Sequence, residues 1–512
     1  MKRRFSRRSL LRRSAAFPAA AMAAGATVPR RGSGPDVYTR LGVRPFINCC
    51  ATWTMYGGSR MLPEVIRAME QAAHYHVWLD ELQEAAGRRI AELLGAPAAM
   101  VANGAGGAVT LGTVACIAGG DPEKMQPLPD TSRLKNEVVV PRWSRNVYDH
   151  LVRCAGARLV EAGTLEELER AFGPRTAMAH AQINILHGGN PFTLEQFVAA
   201  AHRRGVPVQI DAADRVPVVP NPYLSRGADL VCYSGGKILR GPQSAGILMG
   251  RKDLVTAAYA ALSPSTVTFG RALKVSKEQI VGMAAAVEAL FSGRDRAAED
   301  AEWTGWLRHI GARINQVPGV NAGLVEADRS FYPVLNVRWD LERVGITGDE
   351  LFHQLMNGEP RIATHAQGTV NSFPLRPAAM YPGEHEAVAE RLYAVFNAHR
   401  GPRREPAPKP PARDLTGRWS FDIEFAASAT RHHVYLNADG HRLTGMYSSW
   451  LIEHGDVKGT IDGDLVEITT TGHYESMPLI YVFRGKLEGD TMSGEIDMGW
   501  QYGPARWKAV RA

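Results

Sequence analysis

The spacing of apolar and polar residues before position 400 alternates between two periods. Short apolar runs, typical of strands covered on both faces, occur at 138–140, 206–210 and 230–233. Helical spacing or strong helix formers occupy 63–94 (one or two helices), 194–204 and 276–291. This alternation predicts the α/β class, with a mostly parallel sheet that is covered by helices on both faces.

A different period begins after residue 414. Trp419, Phe421 and Ile423 alternate with polar residues, as a half-buried strand requires. Further alternating runs are separated by turn sequences, for example at 437–440 and 462–464. About eight such strands in about ninety residues predict a small antiparallel β-barrel or sandwich.

The length of 512 residues is sufficient for about three folding units. A proline-rich stretch after residue 400 has the composition of a stiff, solvated linker. The predicted division, in chain order, is an export signal at 1–26, a large domain at 38–275, a smaller α+β domain at 276–399, the linker at 400–413 and the β-barrel at 414–512.

The first thirteen residues are strongly basic. They contain seven lysines and arginines and no acid, and an alanine-rich apolar run follows at 15–26. Residues 6–11 have the form of a twin-arginine signal, and residues 24–26 have the A-x-A form of a cleavage site. We therefore expect the twin-arginine translocase to export the protein to the periplasm or the medium, without a membrane anchor.

The charge and the cysteines narrow the functional classes. The formal net charge is +7, and the first thirteen residues carry all of it, so the remainder is near neutral. A nucleic-acid partner is not expected, because its binding requires clustered lysine and arginine on one face. The five cysteines are scattered without a disulfide framework or metal-ligand spacing, so we expect buried free thiols and no catalytic metal.

Lys237 is the strongest candidate for chemistry. It follows the strand at 230–233 in a glycine-flanked turn, and Asp211, twenty-six residues earlier, ends the strand at 206–210. A lysine amine can form a Schiff base with the aldehyde of pyridoxal 5′-phosphate, while a carboxylate keeps the pyridine nitrogen protonated so that the ring accepts electrons. Taken alone, the lysine motif also fits an exposed turn, but its spacing from Asp211 favours the cofactor.

A glycine-rich segment at 104–108 precedes both residues. Gly104, Ala105, Gly106 and Gly107 allow the backbone to approach an anion, and a helix that starts here would direct its first amides at a phosphate. A dinucleotide-binding loop begins similarly, but here the third glycine and the downstream acid are missing. The order of phosphate loop, acid and lysine is that expected of an aspartate-aminotransferase-type fold.

Several motifs together carry a specific resemblance. They are LGVRPFIN at 41–48, GGS at 57–59, GAGGA at 104–108, RNVYDH at 145–150, DAA at 211–213, SGGK at 234–237 with GPQ at 241–243, and KVSKE at 274–278. With them, residues 38–399 resemble the selenocysteine synthase-like branch of pyridoxal-phosphate enzymes, in particular the D-glucosaminate-6-phosphate ammonia-lyase-like subgroup. The resemblance implies a fold-type-I homodimer or higher oligomer with active sites at the subunit interface.

The resemblance also implies roles for individual residues. Lys237 would bind the cofactor, Asp211 would pair with its ring nitrogen, and Ala213 would pack on a face of the ring. Ser234 would either bond the phosphate or serve as a turn serine, and Tyr148 or else His150 would stack over the ring.

Two further assignments have structural alternatives. Arg376 would either clamp a substrate carboxylate bidentately or lie on the surface. Lys274 or Lys277 would either reach a phosphate across the dimer or coat the start of a helix.

The expected activity is α,β-elimination of an ammonia-lyase type on a small amino substrate, an amino acid or an amino sugar acid. Lys237, once displaced from the cofactor by the substrate amine, would remove the Cα proton. Transamination and racemisation begin with the same step and stay open. The alternative from another class is a non-catalytic exported binding protein, because the Gly417-Arg418-Trp419 tripeptide resembles the G-x-W strand of lipocalin-like barrels, which bind small apolar ligands.

Overall fold

The computed structural model describes residues 37–262, 268–327, 331–403, 407–499 and 502–512. The predicted export signal at 1–26 lies outside these residues. The described chain forms two compact units. The first unit contains residues 37–50, 301–326 and 333–401, and the second contains the rest. Over the described ranges, no helix combines the length and the apolar character needed to cross a bilayer.

The helices are α1 (Val37–Arg40), α2 (Pro63–Ala73), α3 (Leu79–Leu94), α4 (Gly104–Ala118), α5 (Pro122–Met125), α6 (Asp149–Arg153), α7 (Leu165–Ala171), α8 (Leu194–His202), α9 (Lys252–Leu262), α10 (Lys277–Ala289), α11 (Arg296–Ile314), α12 (Gly348–Asn357) and α13 (Glu384–Ala398).

The strands before the linker are β1 (Ile47–Asn48), β2 (Ala98–Ala102), β3 (Glu137–Pro141), β4 (Arg158–Ala162), β5 (Thr176–Gln182), β6 (Val208–Asp211), β7 (Leu230–Ser234), β8 (Gly246–Gly250), β9 (Val320–Val325), β10 (Val334–Trp339), β11 (Ile362–Ala363) and β12 (Ser372–Leu375). Those after it are β13 (Gly417–Glu424), β14 (Ala429–Asp439), β15 (Arg442–Ser448), β16 (Gly455–Asp462), β17 (Leu465–Tyr474), β18 (Met477–Glu488), β19 (Thr491–Asp497) and β20 (Ala505–Arg511).

A seven-stranded sheet forms the centre of the second unit, in the order β2-β8-β7-β6-β5-β3-β4. Its strands are parallel except β8, which runs antiparallel to both neighbours. The prediction of a mostly parallel sheet is therefore confirmed. The apolar runs have a simple cause: Val139 of β3 packs into the core on one face, while Val138 and Val140 pack into the core on the other.

Helix α10 matches the predicted stretch at 276–291, but it packs on a different unit from the one expected. Ser276 and Gln279 form a capping box at its start. Its buried residues Ile280, Met283 and Val287 belong to the hydrophobic core on one face of the sheet, and α10 packs there against α2 and α3. The units consequently divide at 300/301, inside α11, and not at the predicted 275/276.

The first unit is a small α+β structure. Strands β12, β10 and β9 form an antiparallel sheet, and β1 pairs in parallel with β11. Trp339 of β10 lies against Phe373 and Phe396, with ring centroids 6.1 and 5.2 Å away. The N-terminal segment at 37–50 belongs to this unit, although the prediction assigned it to the large domain.

The C-terminal residues form a closed barrel of eight antiparallel strands, β13 to β20. A barrel, and not a sandwich, is therefore observed. The inward positions carry large aromatic side chains: Phe421 lies 5.0 Å from Trp507 and 5.2 Å from Phe483, measured between ring centroids. These rings occupy the space that an apolar ligand would need, so the barrel does not favour the binding-protein alternative.

Candidate active site

Lys237 lies in a tight turn that begins where β7 ends, and its side chain is half-buried. The two glycines before it are required by close contacts. A Cβ on Gly235 would come within 2.7 Å of the Met283 sulfur, and a Cβ on Gly236 within 2.4 Å of the Gln243 Cα. The glycines therefore let the turn pack tightly and hold Lys237 at the carboxyl edge of the sheet.

Asp211 lies at the carboxyl end of β6, the strand beside β7. In the parallel pairing of the two strands, Asp211 is aligned with Cys232. Its side chain is buried, and Oδ1 accepts a hydrogen bond of 2.9 Å from the backbone amide of Ala213. The acid, Ala213 and the Lys237 turn thus lie on one edge of the sheet, where parallel α/β folds bind ligands.

The glycine segment starts helix α4 directly, without an intervening loop. Gly246 of β8 is paired with Ser234 of β7, and a Cβ on Gly246 would come within 2.4 Å of the Gly104 carbonyl carbon and 2.7 Å of the Ala105 nitrogen. This close approach brings the first turn of α4 beside Ser234. The first amides of a helix have no acceptor within the helix, so this end is suited to a phosphate.

His180, on β5, was not singled out by the sequence patterns. Its side chain is buried, and Nδ1 has no hydrogen-bond partner among the described residues. Burial lowers the pKa of His180, although the nearby charges of Asp211 and Asp149 oppose this effect. The imidazole is therefore neutral at pH 7. The sequence offered one indication of His180, since it is the single ionisable residue in the otherwise uncharged strand β5.

Tyr148 and His150, the alternative stacking residues, have different surroundings. The Tyr148 side chain is about half exposed, and burial together with the charges of Asp211 and Asp214 raises the pKa of its hydroxyl. His150 Nδ1 lies 2.8 Å from Arg153 Nη2 on the exposed side of α6. Tyr148 is therefore the better candidate of the two, and its role stays a prediction.

Arg240 follows the lysine turn and was also missed by the sequence patterns. It has a positive φ of 56°, is 6% exposed, donates a 2.9 Å hydrogen bond to the Arg60 carbonyl and forms an ion pair with Glu299. Burial lowers the pKa of Arg240 to about 10, although the Glu299 charge opposes this. Because the Arg240 amide also bonds to the Lys237 carbonyl, this buried pair anchors the end of the lysine turn.

The remaining candidates lie outside this group. Arg376 belongs to the first unit, where its backbone amide bonds to the Cys49 carbonyl, and its role as a carboxylate clamp stays a prediction. Lys277 Nζ donates to the Ala72 carbonyl at 2.5 Å and pairs with Glu278. These contacts favour the structural alternative for Lys277. Lys274 lines a separate cavity of about 360 Å³.

These residues fit pyridoxal phosphate on three structural observations. Gly104 has a φ of +64° and no atom within 4 Å of the position of a Cβ, so the backbone is open to an anion there. The Asp211 carboxylate is buried at the end of β6, and the buried His180 ring on the neighbouring β5 carries a nitrogen without a hydrogen-bond partner among the described residues. Lys237 completes the set with an amine at the same edge.

Comparison with known proteins gives a family and two relatives that this chain covers over nearly their whole length. The aminotransferase class-V family matches residues 150–287. The 5′-C-glycyluridine monooxygenase-decarboxylase of a Streptomyces species is 32% identical over 391 residues, which cover 73% of this chain and 95% of that protein. The D-glucosaminate-6-phosphate ammonia lyase of Salmonella typhimurium is 29% identical over 374 residues, 70% of this chain and 98% of the relative.

A solved structure agrees with this assignment. The structure of a D-glucosaminate-6-phosphate ammonia-lyase is similar with a TM-score of 0.62 and 27% identity, and covers 72% of this chain and 100% of its own. The L-seryl-tRNA(Sec) selenium transferase of Moorella thermoacetica is 33% identical over 166 residues, 28% of this chain and 34% of that protein.

Proposed function

The chain belongs to the aminotransferase class-V family of pyridoxal-phosphate-dependent enzymes, and from this premise we propose that it is an exported lyase that releases ammonia by α,β-elimination. The substrate would be an amino acid or an amino sugar acid. The observation that carries the proposal is the placement of Lys237 and Asp211 on one sheet edge, in a chain that covers 98% of an ammonia lyase.

The chain's own residues define the chemistry. Pyridoxal phosphate, when bound, supplies an aldehyde for an amine and a ring that accepts the electrons of a bond broken at Cα. The first amides of α4 and the Ser234 hydroxyl would hold its phosphate. The Asp211 carboxylate would keep a proton on the ring nitrogen.

Lys237 would move the proton that starts the reaction. When the substrate amine takes its place, its Nζ is free within the site and can accept the proton of the substrate Cα. Departure of a leaving group from the substrate Cβ and the return of Lys237 to its own place would release an enamine, which water would convert to a keto acid and ammonia. Removal of the Cα proton is shared with transamination and racemisation, so the product decides among the three.

The first experiment is an absorbance spectrum of the protein with pyridoxal phosphate, beside Lys237→Ala and the exposed control Lys252→Ala. We expect the visible band of the Lys237-bound cofactor in the parent and in the control, and its loss or shift in Lys237→Ala. A folded parent without such a band would overturn the enzyme proposal.

A substrate screen then tests the reaction type. Amino acids and amino sugar acids are incubated with the parent, and ammonia, keto acid, carbon dioxide and oxygen consumption are measured together. Stoichiometric ammonia and keto acid without an amino acceptor support elimination. Carbon dioxide release with oxygen consumption would instead place this chain with its monooxygenase-decarboxylase relative, and a need for a keto-acid acceptor would indicate transamination.

The export part of the proposal rests on the twin-arginine pattern of the sequence. We expect Arg7→Lys with Arg8→Lys to leave the protein in the cytoplasm of a bacterium that otherwise exports it. The matched control changes Arg12 and Arg13 to lysine, which keeps the charge of the segment and leaves the twin arginines Arg7 and Arg8 in place. Equal export of both double variants, measured by cell fractionation, would contradict twin-arginine transport.

A further inference from the structure

The turn between β17 and β18 of the barrel has an unusual role for a β-hairpin end. Tyr474 pairs with Met477, which leaves a two-residue turn of Glu475 and Ser476. Glu475 has a φ of 51°, a conformation common in tight hairpins but rare for a residue with a side chain. The Tyr474 ring centroid also lies 5.3 Å from the Arg153 guanidinium carbon of α6. Side chains of the hairpin end thus face the large sheet domain of the same unit.

Both turn residues bind residues 145–149, the segment that leads into the first residue of α6. Glu475 Oε2 accepts from Arg145 Nη2 at 2.8 Å. The Ser476 hydroxyl lies 2.7 Å from the Asn146 carbonyl oxygen and 2.6 Å from Asp149 Oδ2. Because the hydroxyl has one hydrogen, it donates to one of these acceptors at a time. The barrel therefore contributes both an ion pair and a hydrogen bond to this segment.

The Arg145 and Asp149 side chains in these contacts are shielded from water, whereas the Glu475 side chain is 32% exposed. The Arg145 side chain is 10% exposed and that of Asp149 is 5% exposed, and Arg145 Nε lies 2.6 Å from Asp149 Oδ2. Arg145 also pairs with Glu161. Glu475 is the third carboxylate around this guanidinium, and Asp149 and Glu161 still compensate the Arg145 charge without it. Its loss therefore removes a contact that orients the 145–149 segment and does not leave a bare buried charge.

The segment held by the barrel packs on the helix that begins with the glycine loop. The Leu151 carbonyl of α6 accepts a 2.8 Å hydrogen bond from Thr110 of α4, and the Leu151 side chain lies 3.3 Å from the position of a Cβ on Gly106. Movement of α6 would therefore be transmitted to the first turn of α4, which is the end proposed to hold the phosphate.

The same segment also lies near Asp211, the acid proposed to pair with the cofactor ring nitrogen. Asp149, which Ser476 contacts, lies close enough to His180 to influence its protonation, and His180 in turn lies near Asp211. Tyr148, directly before Asp149, lies within reach of the Asp211 charge. Ser476 thus contacts a carboxylate that, like Asp211, acts electrostatically on His180.

We propose that Glu475 and Ser476 are positioning residues of the cofactor site, and that the barrel braces the 145–153 segment against the glycine-loop helix. The inference rests on the proposed cofactor roles of that helix and of Asp211. It assigns the C-terminal barrel a part in the enzyme reaction, carried by its longest hairpin and not by its filled interior.

The test compares the full-length parent with Glu475→Gln, Ser476→Ala and the double variant. Amide hydrogen exchange over residues 145–153 is measured without cofactor, and pyridoxal-phosphate affinity is measured by titration of the visible band. We expect exchange in the segment to rise and the cofactor dissociation constant to increase about tenfold in the double variant, while melting of the barrel stays unchanged. Ser476→Thr, which retains the hydroxyl, is expected to restore the behaviour of the parent at that position.

A control double variant, Glu453→Gln with Ser493→Ala, changes exposed residues elsewhere in the barrel and should leave both readouts unchanged. Unchanged exchange in the Glu475→Gln, Ser476→Ala protein would overturn the brace. Faster exchange with unchanged cofactor affinity would overturn its connection with the site. If the parent itself binds no cofactor, the proposed function fails, and the exchange measurement alone decides whether the barrel orders the segment.

Discussion

Gly246 of β8 lies directly against Gly104, the first residue of α4: a Cβ on Gly246 would come within 2.4 Å of the Gly104 carbonyl carbon. The neighbour is backbone and not the end of a flexible side chain, so it cannot move aside without shifting the start of the helix. This contact fixes the distance between the proposed phosphate loop and Ser234, which is paired with Gly246.

Gly246→Ala should therefore destabilise the protein by about 1–3 kcal/mol and weaken cofactor binding, because overpacking here displaces the helix start. Thermal unfolding and cofactor titration measure the two effects. Gly305→Ala is the control, since its Cβ would meet no atom within 4 Å on the exposed side of α11. There, alanine should stabilise by about 0.5–1 kcal/mol. An unaffected Gly246→Ala protein would contradict the tight contact.

Asp211→Asn should retain the visible band of the Lys237-bound cofactor but slow removal of the Cα proton. The amide lacks the charge that holds a proton on the ring nitrogen. Loss of one charged hydrogen bond should lower the rate of proton removal about tenfold to hundredfold. Exchange of the substrate Cα proton with solvent deuterium measures this step. Asp214→Asn, on a half-buried residue in the next turn, is the control. Equal rates in the two variants would argue against the role of Asp211.

Glu299→Gln should destabilise the second unit strongly. Glu299 pairs with Arg240 and with Arg294, whose side chains are 7% and 2% exposed, so both guanidiniums would lose a buried counter-charge. The expected loss is about 3–5 kcal/mol in the free energy of unfolding, measured by denaturant titration. The exposed Glu302 of the same helix supplies the control variant Glu302→Gln. Similar stability of both variants would show that the buried pair is not needed.

Acid should destabilise the barrel through His432. This side chain is 2% exposed, between the rings of Tyr447 and Tyr481, and burial, with a smaller effect of His433, lowers its pKa to about 4. The unfolded chain takes up this proton near pH 6.5, whereas the folded barrel resists it until about pH 4. The contribution of neutral His432 to the free energy of unfolding is therefore fully present above pH 6.5. As the pH falls towards 4, the free energy of unfolding decreases by about 3 kcal/mol.

His432→Gln removes this titration, so the parent should lose more stability than the variant between pH 7 and pH 4. Chemical denaturation at both values gives the difference. The exposed His454, changed to glutamine, should behave like the parent. If the parent and the His432→Gln variant had the same pH dependence, protonation of His432 in the folded barrel would not lower the free energy of unfolding, and the prediction would be wrong.

The sequence by itself determined the α/β sheet, a C-terminal antiparallel β domain that could be a barrel or a sandwich, and the order of glycine segment, acid and lysine, because these depend on local periodicity and on short motifs. Val138 to Val140 indicate a strand covered on both faces without reference to any distant residue. Lys237 and Asp211 could be predicted to lie at one edge for the same reason, since Asp211 ends β6, Lys237 lies in the turn after β7, and parallel strands end at one edge.

Only the tertiary structure decided which distant residues support that edge. His180 comes within electrostatic range of Asp211 because β5 and β6 are neighbours in the sheet, where His180 is aligned with Gln209 and Asp211 with Gln182. A lone histidine in an apolar run does not specify this neighbour. The contacts of Glu475 and Ser476 with the 145–149 segment join residues more than three hundred positions apart. Periodicity carries no information on such contacts, because they depend on how a closed barrel is placed within its unit and on charges that are buried together.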